Sequence, residues 1–258
     1  MITLTSDFGL KDHYVAEMKG VILTINPKTT IVDITHDIEK FNIRMAAFML
    51  ASAAPYFPEN TVHLAVVDPE VGTNRRAILI HTKKSFFVGP DNGILVLAAQ
   101  RQGIRKVYQL TNPKLMLPKI SSTFHGRDIF APAAAYLEKS IQPAEFGPEI
   151  KDLIQPEFAS IDRSGDSIIG EVMHIDNFGN IITNINEKDI QNKGKIVTVE
   201  LPQVSLKLTF GYRISVCREL FGTVGRRKQV GLYRPISLLK VLNHPCVVVD
   251  RSLTHQYR

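Results

Sequence analysis

The chain has 258 residues, of which 44% are hydrophobic and 22% are charged, and its formal net charge is +6. This composition excludes a disordered chain, and no apolar run reaches the roughly 18 to 20 residues that a membrane-spanning helix needs. The two cysteines, Cys217 and Cys246, are too few for a disulfide framework or a metal site by themselves. The chain opens with strand-like alternation instead of the apolar core of a signal peptide. Together these features predict a cytoplasmic protein without a membrane partner.

The basic excess lies in the last part of the chain. Residues 211–258 hold nine basic and two acidic side chains, whereas residues 1–210 hold 22 basic and 23 acidic ones. Because the main body is close to neutral, a nucleic-acid partner is not expected for it.

The first half of the chain alternates strand and helix patterns at the spacing of βαβ units. In the first helix the apolar positions from Val15 to Ile25 follow a 3.6-residue period, with Asp12 as the predicted N-cap and Pro27 as the stop. The predicted strands are residues 1–6, 30–34, 61–67, 77–81 and 86–88, and the further helices are residues 42–56 and 128–138.

Apolar runs such as residues 64–67 show little polar alternation, which is typical of strands covered by helices on both faces. We therefore predict a three-layer α/β/α sandwich over residues 1–155, the catalytic domain. A stretch rich in proline and glycine follows at residues 141–156, and after it the pattern changes to short strands. Residues 162–258 are predicted to form a smaller, β-barrel-like domain.

Four polar clusters come directly after predicted strands, where ligands bind in open α/β folds. They are Thr-Ser-Asp-Phe-Gly at residues 5–9, and the segments 68–76, 89–93 and 121–128. Taken one at a time, each is more typical of a turn, and His125 alone is more often a structural histidine. No metal-ligand spacing, P-loop or dinucleotide fingerprint occurs, so no metal site is predicted and ATP and dinucleotide sites are not expected.

Together with Asp-Asn-Phe-Gly-Asn at residues 176–180, these clusters follow the order and separations of a known family. The chain closely resembles, over about residues 1–210, the adenosine-forming S-adenosylmethionine hydrolases, also called S-adenosylmethionine hydroxide adenosyltransferases, which are relatives of fluorinase and chlorinase. The resemblance implies attack of a water-derived nucleophile on C5′ of S-adenosylmethionine, giving adenosine and methionine. S-adenosylmethionine would then be the substrate, with no separate cofactor, and the protein a homotrimer whose sites lie between subunits.

The resemblance also implies the catalytic residues. An aspartate, an arginine and a histidine hold the water in the family, and they correspond here to Asp68, Arg75 and His125. Arg75 cannot be a base at neutral pH, so we assign it to stabilising hydroxide-like charge. Asp68 is assigned to orienting Arg75, and His125 to hydrogen-bonding the water, with deprotonation of the water as a further possible role.

Three further residues are implied to bind substrate: Asp7 the ribose hydroxyls, Asp176 the methionine ammonium and Asn180 the adenine edge. Without the resemblance, a β-turn would be the preferred interpretation of residues 176–180. Halide-using members of the family carry tyrosine and serine where this chain has His125 and Gly126, which favours hydrolysis over halogenation.

The chain departs from the family after residue 211, where the expected C-terminal segment is not found and the basic excess begins. One hypothesis is a shifted reading frame from about residue 212; the rival is a divergent basic tail that binds nucleic acid or an acidic partner. If the tail is genuine, half of the adenine pocket is in doubt. One alternative function is an S-adenosylmethionine-dependent halogenase, and another, favoured by the altered tail, is a non-catalytic adenosine-binding protein.

Overall fold

A computed structural model describes residues 1–164, 167–176, 181–185 and 189, together with the backbone of four strands at 196–201, 204–209, 223–224 and 245–250. The chain divides into two compact units, residues 1–156 and residues 157–258. In the described part of the chain, no helix has the length and apolar character of a membrane span.

The first unit is a mixed α/β structure with one large sheet flanked by helices. Its strands are β1 (Ile2–Ser6), β2 (Ile31–Thr35), β3 (Val62–Val66), β4 (Ala77–Thr82), β5 (Phe86–Pro90), β6 (Ile104–Gln109) and β7 (Glu149–Ile150). Its α-helices are α1 (Tyr14–Ile25), α2 (Ile43–Ala53), α3 (Val96–Gln102) and α4 (Ala131–Glu138).

The strand order is β2-β1-β3-β5-β4-β6-β7. The first four strands in this order pair in parallel, and the other three join antiparallel. Because parallel neighbours end at the same edge, the loops after β1, β2, β3 and β5 lie along one edge of the sheet. The antiparallel strand β4 starts there, since its first residue pairs with the last residue of β5.

The core explains why these segments fold as they do. Every residue of β1 and β3 is buried. The apolar run at residues 64–67 predicted this for β3, whereas the alternating pattern at the start of the chain did not predict it for β1. Alternate side chains of these strands, such as Ile2, Leu4 and Leu64, form one cluster with Met18 of α1 and Ala134 of α4. Helix α1 packs on α4, and α2 packs on α3.

Some predicted boundaries were wrong. Helix α1 begins one residue later than a cap at Asp12 requires: its N-cap is His13, which makes no capping side-chain hydrogen bond. The predicted helix at 128–138 begins instead as a π-helical turn, Gly126–Phe130, that continues into α4. Helix α3 and strand β6 were not predicted.

The second unit is rich in strands. They are β8 (Asp162–Ser164), β9 (Ser167–Ile175), β10 (Ile181–Thr183), β11 (Ile196–Leu201), β12 (Val204–Thr209), β13 (Thr223–Val224) and β14 (Pro245–Asp250). Strands β9 to β14 follow the order β12-β11-β14-β9-β10-β13, and β8 pairs with β9. Two of these strands, β13 and β14, lie after residue 211, where the resemblance was expected to end.

Candidate active site

The site is built from loops at the edge of the sheet where the parallel strands end. Asp68 follows β3 by two residues, and Arg75 lies two residues before β4. His125 lies on a separate segment and immediately precedes the π-helical turn that leads into α4. Single-turn π-helices occur frequently at functional sites.

Asp68 and Arg75 form a two-point ion pair. The Nε atom of Arg75 donates to Oδ1 of Asp68 at 3.0 Å, and Nη2 donates to Oδ2. The two side chains are only 4% and 2% exposed, so solvent screens this pair weakly. Burial raises the pKa of the Asp68 carboxyl, and the contact with Arg75 offsets this effect in part.

His125 completes the cluster through Arg75. The same Nη2 atom of Arg75 lies 2.9 Å from Nδ1 of His125. Because a guanidinium can only donate, Nδ1 must accept, and a neutral His125 then carries its proton on Nε2. Burial and the charge of Arg75 lower the pKa of His125, which favours this neutral form. The structure therefore brings Asp68, Arg75 and His125 together, although the first and the last are 57 positions apart in the chain.

A buried aspartate anchors the segment that carries His125. Asp128 is fully buried, and its Oδ2 accepts a hydrogen bond from the backbone of Ser121 at 2.8 Å. Arg127 donates to Oδ1 of Asp128 at 2.7 Å and to Glu17 of α1 at 2.8 Å. Sequence reasoning gave Asp128 no role, because a lone aspartate inside a predicted helix has no signal of its own.

Asp7 lies in a second cluster, held by the loop after β2. Its side chain is 4% exposed, and Oδ2 accepts from the backbone of Phe41 at 2.9 Å. The preceding Ser6 hydroxyl lies 2.7 Å from Nδ1 of His36, a buried histidine that sequence reasoning did not consider. His36 also accepts a backbone hydrogen bond from Gly9 at 2.8 Å.

An aromatic contact joins the two clusters. Phe8, next to Asp7, packs edge-on against Phe124, next to His125, with ring centroids 5.7 Å apart. The Asp7 cluster and the Asp68–Arg75–His125 cluster are therefore neighbours at this edge of the sheet.

The cluster at residues 89–93 has a structural partner. Asp91 is 1% exposed and accepts from Nε and Nη2 of Arg76 at 2.9 and 2.5 Å. Its other oxygen accepts from the backbone of Ile154 at 3.1 Å. Arg76 also donates to Asp152 at 2.8 Å, so this network fastens the end of the first unit to the sheet.

The two remaining predicted residues belong to the second unit. Asp176 directly follows β9 and is partly exposed. Asn180 lies outside the described residues.

Models of two family domains match the chain. The N-terminal domain of SAM hydroxide adenosyltransferase matches residues 2–147, and the C-terminal domain matches residues 170–232. The chain belongs to the SAM hydroxide adenosyltransferase family. The second match extends to residue 232. The predicted end of the resemblance, near residue 210, was therefore placed too early.

Relatives and solved structures agree with this membership. The chain is 42% identical over 198 residues to a protein of Methanocaldococcus jannaschii named (R)-S-adenosyl-L-methionine hydrolase, covering 75% of this chain and 70% of that protein. It is 26% identical to a fluorinase of Actinoplanes sp., over 75% and 74% of the two chains. A crystal structure of an uncharacterised conserved protein from Thermotoga maritima matches with a TM-score of 0.82 and 32% identity, covering 96% of this chain and all of that one.

Proposed function

We propose that this protein hydrolyses S-adenosyl-L-methionine to adenosine and L-methionine, with a water-derived nucleophile attacking C5′. The observation that carries the proposal is the contact among Asp68, Arg75 and His125, in a chain 42% identical to a named S-adenosyl-L-methionine hydrolase. The fluorinase relative is more distant, at 26% identity.

The reaction suits a site that has one fixed positive charge, on Arg75, and no general acid to protonate the leaving group. The C5′–S bond breaks with both electrons going to sulfur, so the sulfonium leaves as the neutral thioether of methionine and needs no proton. The new C5′–O bond forms from water, which must lose one proton. The tasks left to the protein are to orient the water and to stabilise the negative charge that develops on its oxygen.

Arg75 supplies the positive charge for that task. Its guanidinium can only donate hydrogen bonds, and the two-point contact with Asp68 fixes its plane. A preorganised donor of this kind contributes about 10²- to 10³-fold to the rate in other enzymes.

His125 donates a hydrogen bond in this arrangement. Its Nδ1 accepts from Arg75, so the proton on Nε2 can point to the nucleophile oxygen. The geometry thus favours the hydrogen-bonding role of His125 over the deprotonating one. Asp68 is the remaining base of the cluster, and burial, which raises its pKa, makes it a better proton acceptor than an exposed carboxylate.

The substrate-binding roles of Asp7, Asp176 and Asn180 are part of the same proposal, as are the cytoplasmic location and a homotrimer. So are the three-layer form of the first unit and the barrel-like form of the second. S-adenosylmethionine acts as substrate, and no separate cofactor is required, because sulfonium displacement is a polar reaction without electron transfer.

The test is to incubate the purified protein with S-adenosylmethionine in halide-free buffer and to follow adenosine and methionine by chromatography. Both should appear in equal amounts. Replacing His125 by alanine should lower kcat by about 10²-fold, because the nucleophile loses a hydrogen-bond partner. His81→Ala is the matched control, since His81 lies on β4, stacks on Phe86 and makes no described contact with the cluster.

Two outcomes would contradict the proposal. A 5′-halo product that forms on addition of chloride or fluoride, at the expense of adenosine, would indicate a halogenase. Bound adenosine that can be extracted from a protein without turnover would indicate a binding protein. An unchanged rate in His125→Ala would remove His125 from the reaction.

A further inference from the structure

Two loops of the first unit meet through their backbones beside the Asp68–Arg75–His125 cluster. Gly72 has a φ of +81°, and a Cβ atom on it would lie 2.2 Å from the backbone carbonyl oxygen of Ser122. A backbone carbonyl cannot rotate away as the end of a flexible side chain can. Position 72 therefore needs glycine both for its conformation and for this close approach.

The first of these loops is short and internally bonded. It runs from Asp68 to Arg75, with Gly72 near its middle. The backbone of Val71 donates to the carbonyl of Asp68 at 3.3 Å, and the Thr73 hydroxyl accepts from the backbone of Arg75 at 3.2 Å. A shift of Gly72 would consequently be passed to Arg75.

The second loop is held on its far side. Ser121 donates its backbone N–H to the buried Asp128, and its hydroxyl accepts from the backbone of Phe124 at 2.9 Å. Ser122 therefore lies between anchored residues, only three positions before His125. The contact with Gly72 sets how closely the first loop approaches this fixed one.

We propose that Gly72 is a positioning residue, whose backbone contact with Ser122 places Arg75 within hydrogen-bond distance of His125. Its effect on turnover rests on the proposed hydrolase function, whereas its effect on the Arg75–His125 contact does not. A side chain at position 72 would push the two loops apart and lengthen this contact without touching any reacting group.

The test is Gly72→Ala. The kcat for S-adenosylmethionine should fall by about 100-fold, because small displacements of catalytic groups have effects of this size, and KM should change by less than about threefold. The pKa of His125, followed by NMR and assigned with His125→Gln, should rise relative to the wild type. Burial and Arg75 lower this pKa and outweigh Asp68 and Asp128, which raise it. Moving the Asp68–Arg75 loop away weakens the burial of His125 and its contact with Arg75, so the pKa moves upward.

Gly103→Ala is the matched control. Gly103 also has a positive φ, +74°, at the end of α3, but a Cβ there meets only the flexible Lys83 side chain, at 3.1 Å or more. This variant carries a similar conformational penalty away from the cluster. Its kcat and the His125 pKa should match the wild type.

Gly72→Asn separates the two requirements at position 72, the positive φ and the space beside the Ser122 carbonyl. It also replaces Gly72→Ala as the test variant if the alanine variant does not fold. Asparagine adopts positive φ more readily than alanine, yet its Cβ meets the same carbonyl. The Asn variant should therefore fold and still show the lower kcat and the raised His125 pKa.

Recovery of wild-type turnover in Gly72→Asn, or an unchanged His125 pKa in both variants, would overturn the inference. The titration also separates it from the proposed function. If the wild type does not hydrolyse S-adenosylmethionine but the His125 pKa rises in the Gly72 variants, the positioning role stands and the hydrolase function fails.

Discussion

Arg75 and Arg76 are consecutive in the chain, yet they serve two different regions of the molecule. Arg75 points to Asp68 and His125, and its side chain is 2% exposed. Arg76 points to Asp91 and Asp152, and its side chain is 23% exposed. The two arginines are the last two residues before β4, and their side chains take different partners.

A buried ion pair does not by itself identify an active site, because Arg75–Asp68 and Arg76–Asp91 are both such pairs. Both pairs join an arginine to a nearly buried aspartate. The difference is the third partner. Arg75 contacts a histidine, a group that can hydrogen-bond to a bound water, whereas Arg76 contacts the carboxylate and the backbone carbonyl of the exposed Asp152. The first arrangement suits chemistry and the second holds the fold together.

The largest expected effect is on turnover in Arg75→Lys. Lysine keeps the positive charge but lacks the planar guanidinium with its several N–H donors. One ammonium therefore cannot contact Asp68 at two points and His125 as well. We expect kcat to fall by about 10²- to 10³-fold while the protein stays folded. Steady-state kinetics and thermal unfolding measure the two quantities, and a kcat near that of the wild type would place the essential charge elsewhere.

Arg76→Ala should act on stability instead. It leaves Asp91 as a buried charge without its cation, which costs about 3 kcal/mol of unfolding free energy in comparable pairs. Denaturant unfolding measures this loss, and kcat per folded molecule should stay within about threefold of the wild type. Asp152→Asn is the control, since Asp152 is 79% exposed and its replacement should leave the unfolding free energy close to that of the wild type.

The smallest effect is a shift in the pH dependence of turnover. Burial and Arg75 hold the pKa of His125 below its ordinary value, so turnover that needs neutral His125 is lost only as the pH falls through this lowered pKa. Arg75→Gln removes the positive charge, so the pKa rises and the acid limb moves to higher pH. In Arg76→Gln the limb should not move. A pH–rate profile of the three proteins tests this, and an equal shift in both variants would erase the distinction between the arginines.

Much of the candidate site was accessible from the sequence. Asp68, Arg75 and His125 were singled out because polar clusters after strands resemble those of one family, and the structure brings these three side chains into contact. Their catalytic roles, and the substrate-binding roles of Asp7, Asp176 and Asn180, remain predictions. The hypothesis of a shifted reading frame after residue 212 also remains, and the coding DNA would test it.

The sequence by itself determined the elements with strong local signals. Strand-like alternation predicted β1, the apolar run at residues 64–67 predicted β3, and the 3.6-residue period predicted α1. The helix predicted from residue 42 is α2, which Asn42 caps by accepting from the backbone of Met45 at 2.9 Å. These signals are local, because periodicity and capping depend on residues a few positions apart.

Only the tertiary structure decided which partner each charged residue takes. Nothing local distinguishes Arg75 from Arg76, or indicates that Asp128 holds the loop before it and that Gly72 must clear the carbonyl of Ser122. Such contacts join residues 50 positions apart, as in Arg75 and His125. They form because the sheet brings separate loops to one edge, where burial makes each side chain's choice of partner energetically important.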